Sequence, residues 1–180
     1  MGHKMMNLFC LLLGCVVLLQ PIFAAEFVDC SQLPKPIRPH ECCRFPHLFK
    51  RNSLVEHCKQ SQSTVSEQCF YECIFEATEI FRNGKFDWRK AEDYVDWVMK
   101  TTDPFLPIYK AAYRKCIEKV NGMKLNWKHL NKNGCNPLPE MLFLCVQNEM
   151  FASCPSDQWN YDVADCSSKR SFMNNCIRDK

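Results

Sequence analysis

The apolar pattern predicts an all-α protein, a compact disulfide-bridged helical domain with bridged N- and C-terminal extensions. Apolar residues recur at three- and four-residue steps over long stretches, the period of one helix face. No stretch alternates apolar and polar residues as a half-buried strand does. Twelve cysteines follow residue 25, an even number suited to complete pairing in an oxidising compartment.

The first 25 residues read as a secretory signal peptide. His3 and Lys4 make a basic start, Leu8 to Leu19 an apolar run, Pro21 a break, and Ala24–Ala25 a cleavage point. The run is too short to cross a hydrocarbon core of ~30 Å as a helix. Leu12-Leu13-Gly14-Cys15 is superficially like a lipid-attachment site, but there the apolar run ends before the cysteine, and here it continues through Leu19. Residues 26–180 are expected to form one secreted helical domain, with a Pro/Cys-rich N-terminal extension at 26–57 and a Cys-containing C-terminal extension at 156–180. No other run is long enough for a membrane span, and no Asn-x-Ser/Thr sequon occurs.

Charge excludes one large class of partner. The chain holds 23 Lys and Arg against 20 Asp and Glu, interspersed throughout, and its basic pairs, such as Lys50-Arg51 and Lys169-Arg170, are isolated. That is a solvated surface and not a phosphate-binding stripe, so nucleic acid is not an expected partner.

Residues 26–52 contain Pro34, Pro36, Pro39 and Pro46 with Cys30, Cys42 and Cys43. Proline at that density predicts an extended segment held down by bridges. Adjacent Cys42 and Cys43 should tie it to two different places. From Thr64 the pattern turns helical: Thr64 and Glu67 fit a capping box, and Cys69, Phe70, Cys73, Ile74, Ala77, Ile80 and Phe81 recur at helical steps up to Asn83-Gly84. Asp87 caps a second helix bearing Trp88, Ala91, Val95, Val98 and Met99. Asp103-Pro104 restarts the chain into a third, with Ile108, Ala112, Cys116, Ile117 and Val120 as its stripe, ending at Asn121-Gly122. Asn136-Pro137 or Leu138-Pro139 opens a fourth, with Leu142, Cys145, Val146, Met150 and Cys154, closed by Pro155. The tail from Ser156 reads as short helix or loop.

Several cysteines fall inside predicted helices, which limits their bonding. Cys69 and Cys73 share one face. Cys145 and Cys154 would lie ~13 Å apart on a continuous helix, beyond disulfide reach. Each must staple its helix to another element. Bridges worth ~2–4 kcal/mol apiece let a fold tolerate an unfilled interior that would otherwise be costly.

The ordered gaps are ten residues from Cys58 to Cys69, three to Cys73, forty-two to Cys116, eighteen to Cys135, nine to Cys145 and eight to Cys154, followed at once by Pro155. Cys166 and Cys176 come after. This set resembles the insect odorant-binding proteins. The extra cysteine before the eight-residue gap, the Cys-Pro pair and Cys42-Cys43-Arg44-Phe45-Pro46 are similar to their Plus-C subclass. The resemblance implies pairing of Cys58–Cys73, Cys69–Cys145 and Cys116–Cys154, with Cys30, Cys42, Cys43, Cys135, Cys166 and Cys176 forming three further bridges of open connectivity. It also implies roughly six or more helices around an apolar cavity, and a secreted carrier of a small apolar ligand (odorant, pheromone or lipid) through aqueous lymph, with an olfactory receptor as candidate partner.

Other readings are weaker. Cys42, Cys43, His47, His57 and Cys58 only crudely approximate a metal site, and an oxidising compartment disfavours free thiolates. The Cys42-Cys43 pair with His47 invites comparison with secreted phospholipases, but Leu48 stands where an aspartate should follow, and no calcium loop precedes it. No Gly-x-Ser-x-Gly or His-Glu-x-x-His motif is present. No enzyme, cofactor or metal is expected. The candidate ligand wall comprises Phe70, Ile74, Trp88, Tyr94, Val95, Met99, Phe105, Tyr109, Ala112, Phe143, Val146 and Met150. Each taken singly fits plain core better than a ligand wall, and only the set together suits a pocket; Tyr94, Tyr109 and Tyr113 either orient a ligand or point to solvent. The rivals are a non-olfactory lipid carrier and a disulfide-rich interaction protein without a cavity.

Overall fold

Caps and breakers in the sequence set the element boundaries of the computed structural model, which describes residues 28–49, 53–60, 67–123 and 134–177. The expected signal peptide and Thr64 lie outside these. Helix α1 is a single turn, Pro39–Cys42. The expectation that proline excludes helix here fails at this one turn, because a first-turn proline gives up no intrahelical bond. Helix α2, Ser53–Gln60, buries Val55 and Cys58 on one face. It starts well before the expected onset of helix, so the expected extension boundary at 57 falls inside it.

Helix α3, Glu67–Ala77, stops where Thr78 turns its hydroxyl back onto the Ile74 carbonyl at 2.9 Å. Ile80 and Phe81, placed on the helix stripe from sequence, lie beyond it and are buried. Phe81–Arg82 (β1) pairs antiparallel with Lys85–Phe86 (β2), Phe81 opposite Phe86. Asn83 (φ 53°) and Gly84 (φ 74°) make the turn between them. Two successive positive φ values are what a two-residue hairpin needs, and Asn-Gly supplies them at little cost.

Helix α4, Trp88–Val98, is capped by Asp87, whose carboxylate accepts from the Arg89 amide at 2.9 Å. Helix α5, Leu106–Asn121, begins two residues after the expected Pro104, with Pro107 in its first turn; Asp103 still accepts from the Phe105 amide at 2.8 Å. Its buried residues Tyr109, Ala112, Tyr113, Cys116, Ile117 and Val120 keep the three-and-four spacing. Helix α6, Leu138–Ala152, follows Asn136, which accepts from the Leu138 amide at 3.0 Å. A 3-10 turn at Ser156–Gln158, helix α7 at Ala164–Phe172 and a π turn at Met173–Ile177 complete the chain. Helix α5 packs between α4 and α6, and α3 lies against α6.

Six disulfides staple these elements, and two expected pairings are corrected. Cys58–Cys73 forms as the family resemblance implies. Cys69 bonds Cys135 and not Cys145. The chain before α6 passes over α3, where Glu72, one turn from Cys69, accepts the Asn136 amide at 3.0 Å. Cys116 bonds Cys145 and not Cys154, because the two sit on the packed faces of α5 and α6. Cys154 lies past the end of α6 and takes Cys43; Cys42 takes Cys166, and Cys30 takes Cys176. Adjacent Cys42 and Cys43 thus reach two different places, as expected.

Hydrogen bonds run beside these bridges and stitch the tail onto the start of the domain. Cys43 and Trp159 form an isolated antiparallel bridge, and the Asn160 amide donates to the Cys42 carbonyl at 2.7 Å. Arg170 donates to the carbonyls of Ala152 and Cys154 at the α6 C-terminus, at 3.2 and 2.8 Å, while its guanidinium lies 4.5 Å over the Trp159 ring. A cation there satisfies orphan carbonyls and the helix dipole together.

Candidate ligand-binding cavity

From Arg44 to Phe49 the chain runs as an irregular strap. Two buried tyrosines fix it from below. Tyr109 of α5 donates to the Pro46 carbonyl at 2.5 Å, and Tyr94 of α4 donates to the Leu48 carbonyl at 3.3 Å. A loop has no internal bonding ladder, so these side chains satisfy the backbone that helix or sheet would otherwise satisfy. Held this way, Leu48 and Phe49 form one wall of a half-open cavity of about 610 Å³.

The remaining wall comes from Val55 on α2, Phe70 and Tyr71 on α3, Tyr109 and Tyr113 on α5, and Phe143, Leu144 and Val146 on α6. Tyr71 stacks on Phe143 at 4.2 Å, and Phe49 sits 6.2 Å from Phe143 and 5.5 Å edge-on from Phe75. Offset and edge contacts of this kind hold rings in place beyond their area burial. The volume falls in the range that encloses drug-sized ligands. Burial pushes the phenols of Tyr71, Tyr109 and Tyr113 above their ordinary value, so the lining hydroxyls stay neutral. Tyr113 is buried, 2% exposed, on the α5 face of the cavity.

Part of the cavity lining is polar. Arg38, His40, His47, Lys59, Glu67, Gln147, Asn148 and Lys169 border it there. Among the described residues no group of His, Cys, Asp and Glu could hold a metal ion, and no helix is long and apolar enough to cross a membrane. A second groove of about 290 Å³, with Met123, Met141 and Met173 in its lining, lies against α6 and shares Leu144 with the first.

Of the twelve residues expected in a ligand wall, the structure brings Phe70, Tyr109, Phe143 and Val146 together at this cavity. Tyr94, Val95, Met99, Phe105, Ala112 and Met150 belong to the main core, and Ile74 to a smaller cluster with Val55 and Cys58. Trp88 is 36% exposed, with the Arg114 guanidinium 4.6 Å from its ring. It stands at the start of α4, where the ring lies under a cation instead of in the interior. The strap residues Leu48 and Phe49, and Val55 and Tyr71, were not foreseen. For the strap, the available signal is the cluster of Phe45, Leu48 and Phe49 within six residues of the double cysteine.

The family model described as AgamOBP47-like matches residues 50–172, about two-thirds of the chain. The chain belongs to this family of odorant-binding proteins. Odorant-binding protein 47 of Anopheles gambiae is 24% identical over 163 residues, spanning 79% of this chain and 71% of that protein. Odorant-binding proteins are a binding and carrier family, which supports a carrier role here in general terms. In this odorant-binding-protein fold, the matched region holds α2 through α7 and most of the cavity wall. The strap and α1, which supply Arg38, His40, His47, Leu48 and Phe49, precede it.

Proposed function

We propose that this protein is a secreted carrier that takes a small hydrophobic odorant, pheromone or lipid into the cavity beneath the strap and moves it through aqueous lymph toward chemosensory receptors. One observation supports this above the others: a half-open space of about 610 Å³ whose wall is mostly aromatic and aliphatic. An apolar ligand entering it leaves water, gaining ~25 cal/mol per Å² of apolar surface buried. No bond is made or broken, and neither cofactor nor metal is required. Twelve bridged cysteines suit an extracellular protein, and they keep the wall in place when the cavity is empty.

The test is uptake of N-phenyl-1-naphthylamine by the fully oxidised protein, followed by displacement with volatile and fatty compounds. Saturable, near one-to-one binding reversed by some of the panel is expected. Absence of saturable uptake would move the assignment to a secreted interaction protein.

A further inference from the structure

We propose that the ligand carries a carboxylate on its apolar body and that Lys169, in the polar part of the cavity lining, receives it; this rests on the carrier reading above. The charge there is one-sided. Among the described residues, Arg38, Lys59 and Lys169 line the cavity with His40 and His47, against a single carboxylate, Glu67. Two of the three permanent cations already have anionic neighbours. Arg38 donates to Glu41 at 2.7 Å, and Lys59 lies 3.8 Å from Glu56.

Lys169 differs. It makes no ion pair with a carboxylate among the described residues, and its ammonium donates to the Ile37 carbonyl while standing 5.8 Å over the Phe151 ring. Its position is fixed: Cys166, one turn earlier on α7, is bonded to Cys42 of α1. Burial lowers its pKa, with Glu41 pulling the other way. A half-buried ammonium with only a neutral acceptor keeps unused donors and an unrecovered desolvation cost. An incoming carboxylate supplies a charge-assisted bond there, while its chain lies against Phe143, Tyr71 and Phe49.

Hydrophobic transfer alone predicts the opposite ranking, since a fatty ester leaves water more readily than the corresponding anion. That makes matched ligands decisive. Dodecanoate, methyl dodecanoate and dodecanol are each competed against bound N-phenyl-1-naphthylamine on the oxidised protein at neutral pH. Dodecanoate is expected to displace the probe at a concentration at least about tenfold lower than the ester. In Lys169→Met the acid-to-ester ratio should collapse toward one, and in Lys169→Arg it should persist, with near-UV circular dichroism confirming the fold of both. Equal displacement by acid and ester in the unmodified protein overturns the proposal while leaving the carrier reading intact. So does a preference that survives in Lys169→Met. If the probe itself does not bind, the carrier reading falls and this proposal falls with it.

Discussion

Tyr109 donates its phenolic hydrogen to the Pro46 carbonyl at 2.5 Å, joining α5 to the strap across 63 residues of sequence. Tyr109→Phe keeps the ring and leaves that part-buried carbonyl without its partner. A loss of about 1–2 kcal/mol of stability is expected, read as a lower Tm. Amide exchange at Phe45, Leu48 and Phe49 should accelerate more than exchange in α5. Uniform acceleration would mean that the bond does not hold the strap.

Phe143 and Leu142 are neighbours on α6 with opposite surroundings. Phe143 lines the cavity and stacks on Tyr71, whereas Leu142 is wholly buried in the core. Phe143→Ala should weaken binding of a compact apolar probe by about tenfold, since the stacked wall and its contact area are lost. Leu142→Ala should cost about 2–5 kcal/mol of stability and leave the probe affinity of the folded protein unchanged. Probe titration alongside thermal unfolding separates the two effects.

The disulfides should not be equal. Cys43–Cys154 closes a span of 111 residues and Cys58–Cys73 one of 15. Chain entropy assigns such loops about 4.7 and 3 kcal/mol respectively. Replacing Cys43 and Cys154 together by Ser should therefore lower stability more than the same change at Cys58 and Cys73, and should also abolish probe binding by freeing the strap. Proteolysis without reduction should yield linked peptides containing Cys69 with Cys135 and Cys116 with Cys145.

Glu72 gives a pH signature. Burial raises its carboxyl above the ordinary 4.5, with the Asn136 amide opposing and Glu76 adding to the rise. With the folded pKa above the unfolded one, the folded state binds more protons in the window just above pH 4.5. Stability from this group is thus fully present below that pH and lost as pH rises through the window. Glu72→Gln should flatten this part of the stability curve, measured by urea unfolding at stepped pH. An unchanged slope would assign it to other groups.

Helices α4, α5 and α6 are legible in the sequence because local signals suffice: Asp87, Asp103 and Asn136 at their starts, and stripes spaced by three and four. The hairpin at Phe81–Phe86 is not, since two-residue strands are too short to alternate, and Asn83-Gly84 suits a helix stop as well as a tight turn. Bridge partners beyond Cys58–Cys73 depend on which helices meet in space. No local signal marks Cys116 over Cys69 as the partner of Cys145, and the packing of α5 on α6 decides between them. The cavity wall was half visible. Phe143 and Val146 sit on a periodic helix, but Leu48 and Phe49 lie on an irregular strap with no period to read. Lys169 gives no local sign either, as its surroundings come from Ile37 and Phe151, distant in sequence.

The three bridges that fasten the N-terminal segment all wait for the far end of the chain. Cys43, Cys42 and Cys30 meet partners 111, 124 and 146 residues later. At a synthesis rate of roughly 5–20 residues per second, these thiols emerge on the order of ten seconds before their partners exist. During that interval Cys58, Cys69 and Cys73 are nearer alternatives, so correct closure depends on thiol exchange in the secretory compartment. The wall that faces the ligand is the first part of the domain to be made and the last to be locked, and any nascent chain ending before Cys154 lacks the partner that would lock it.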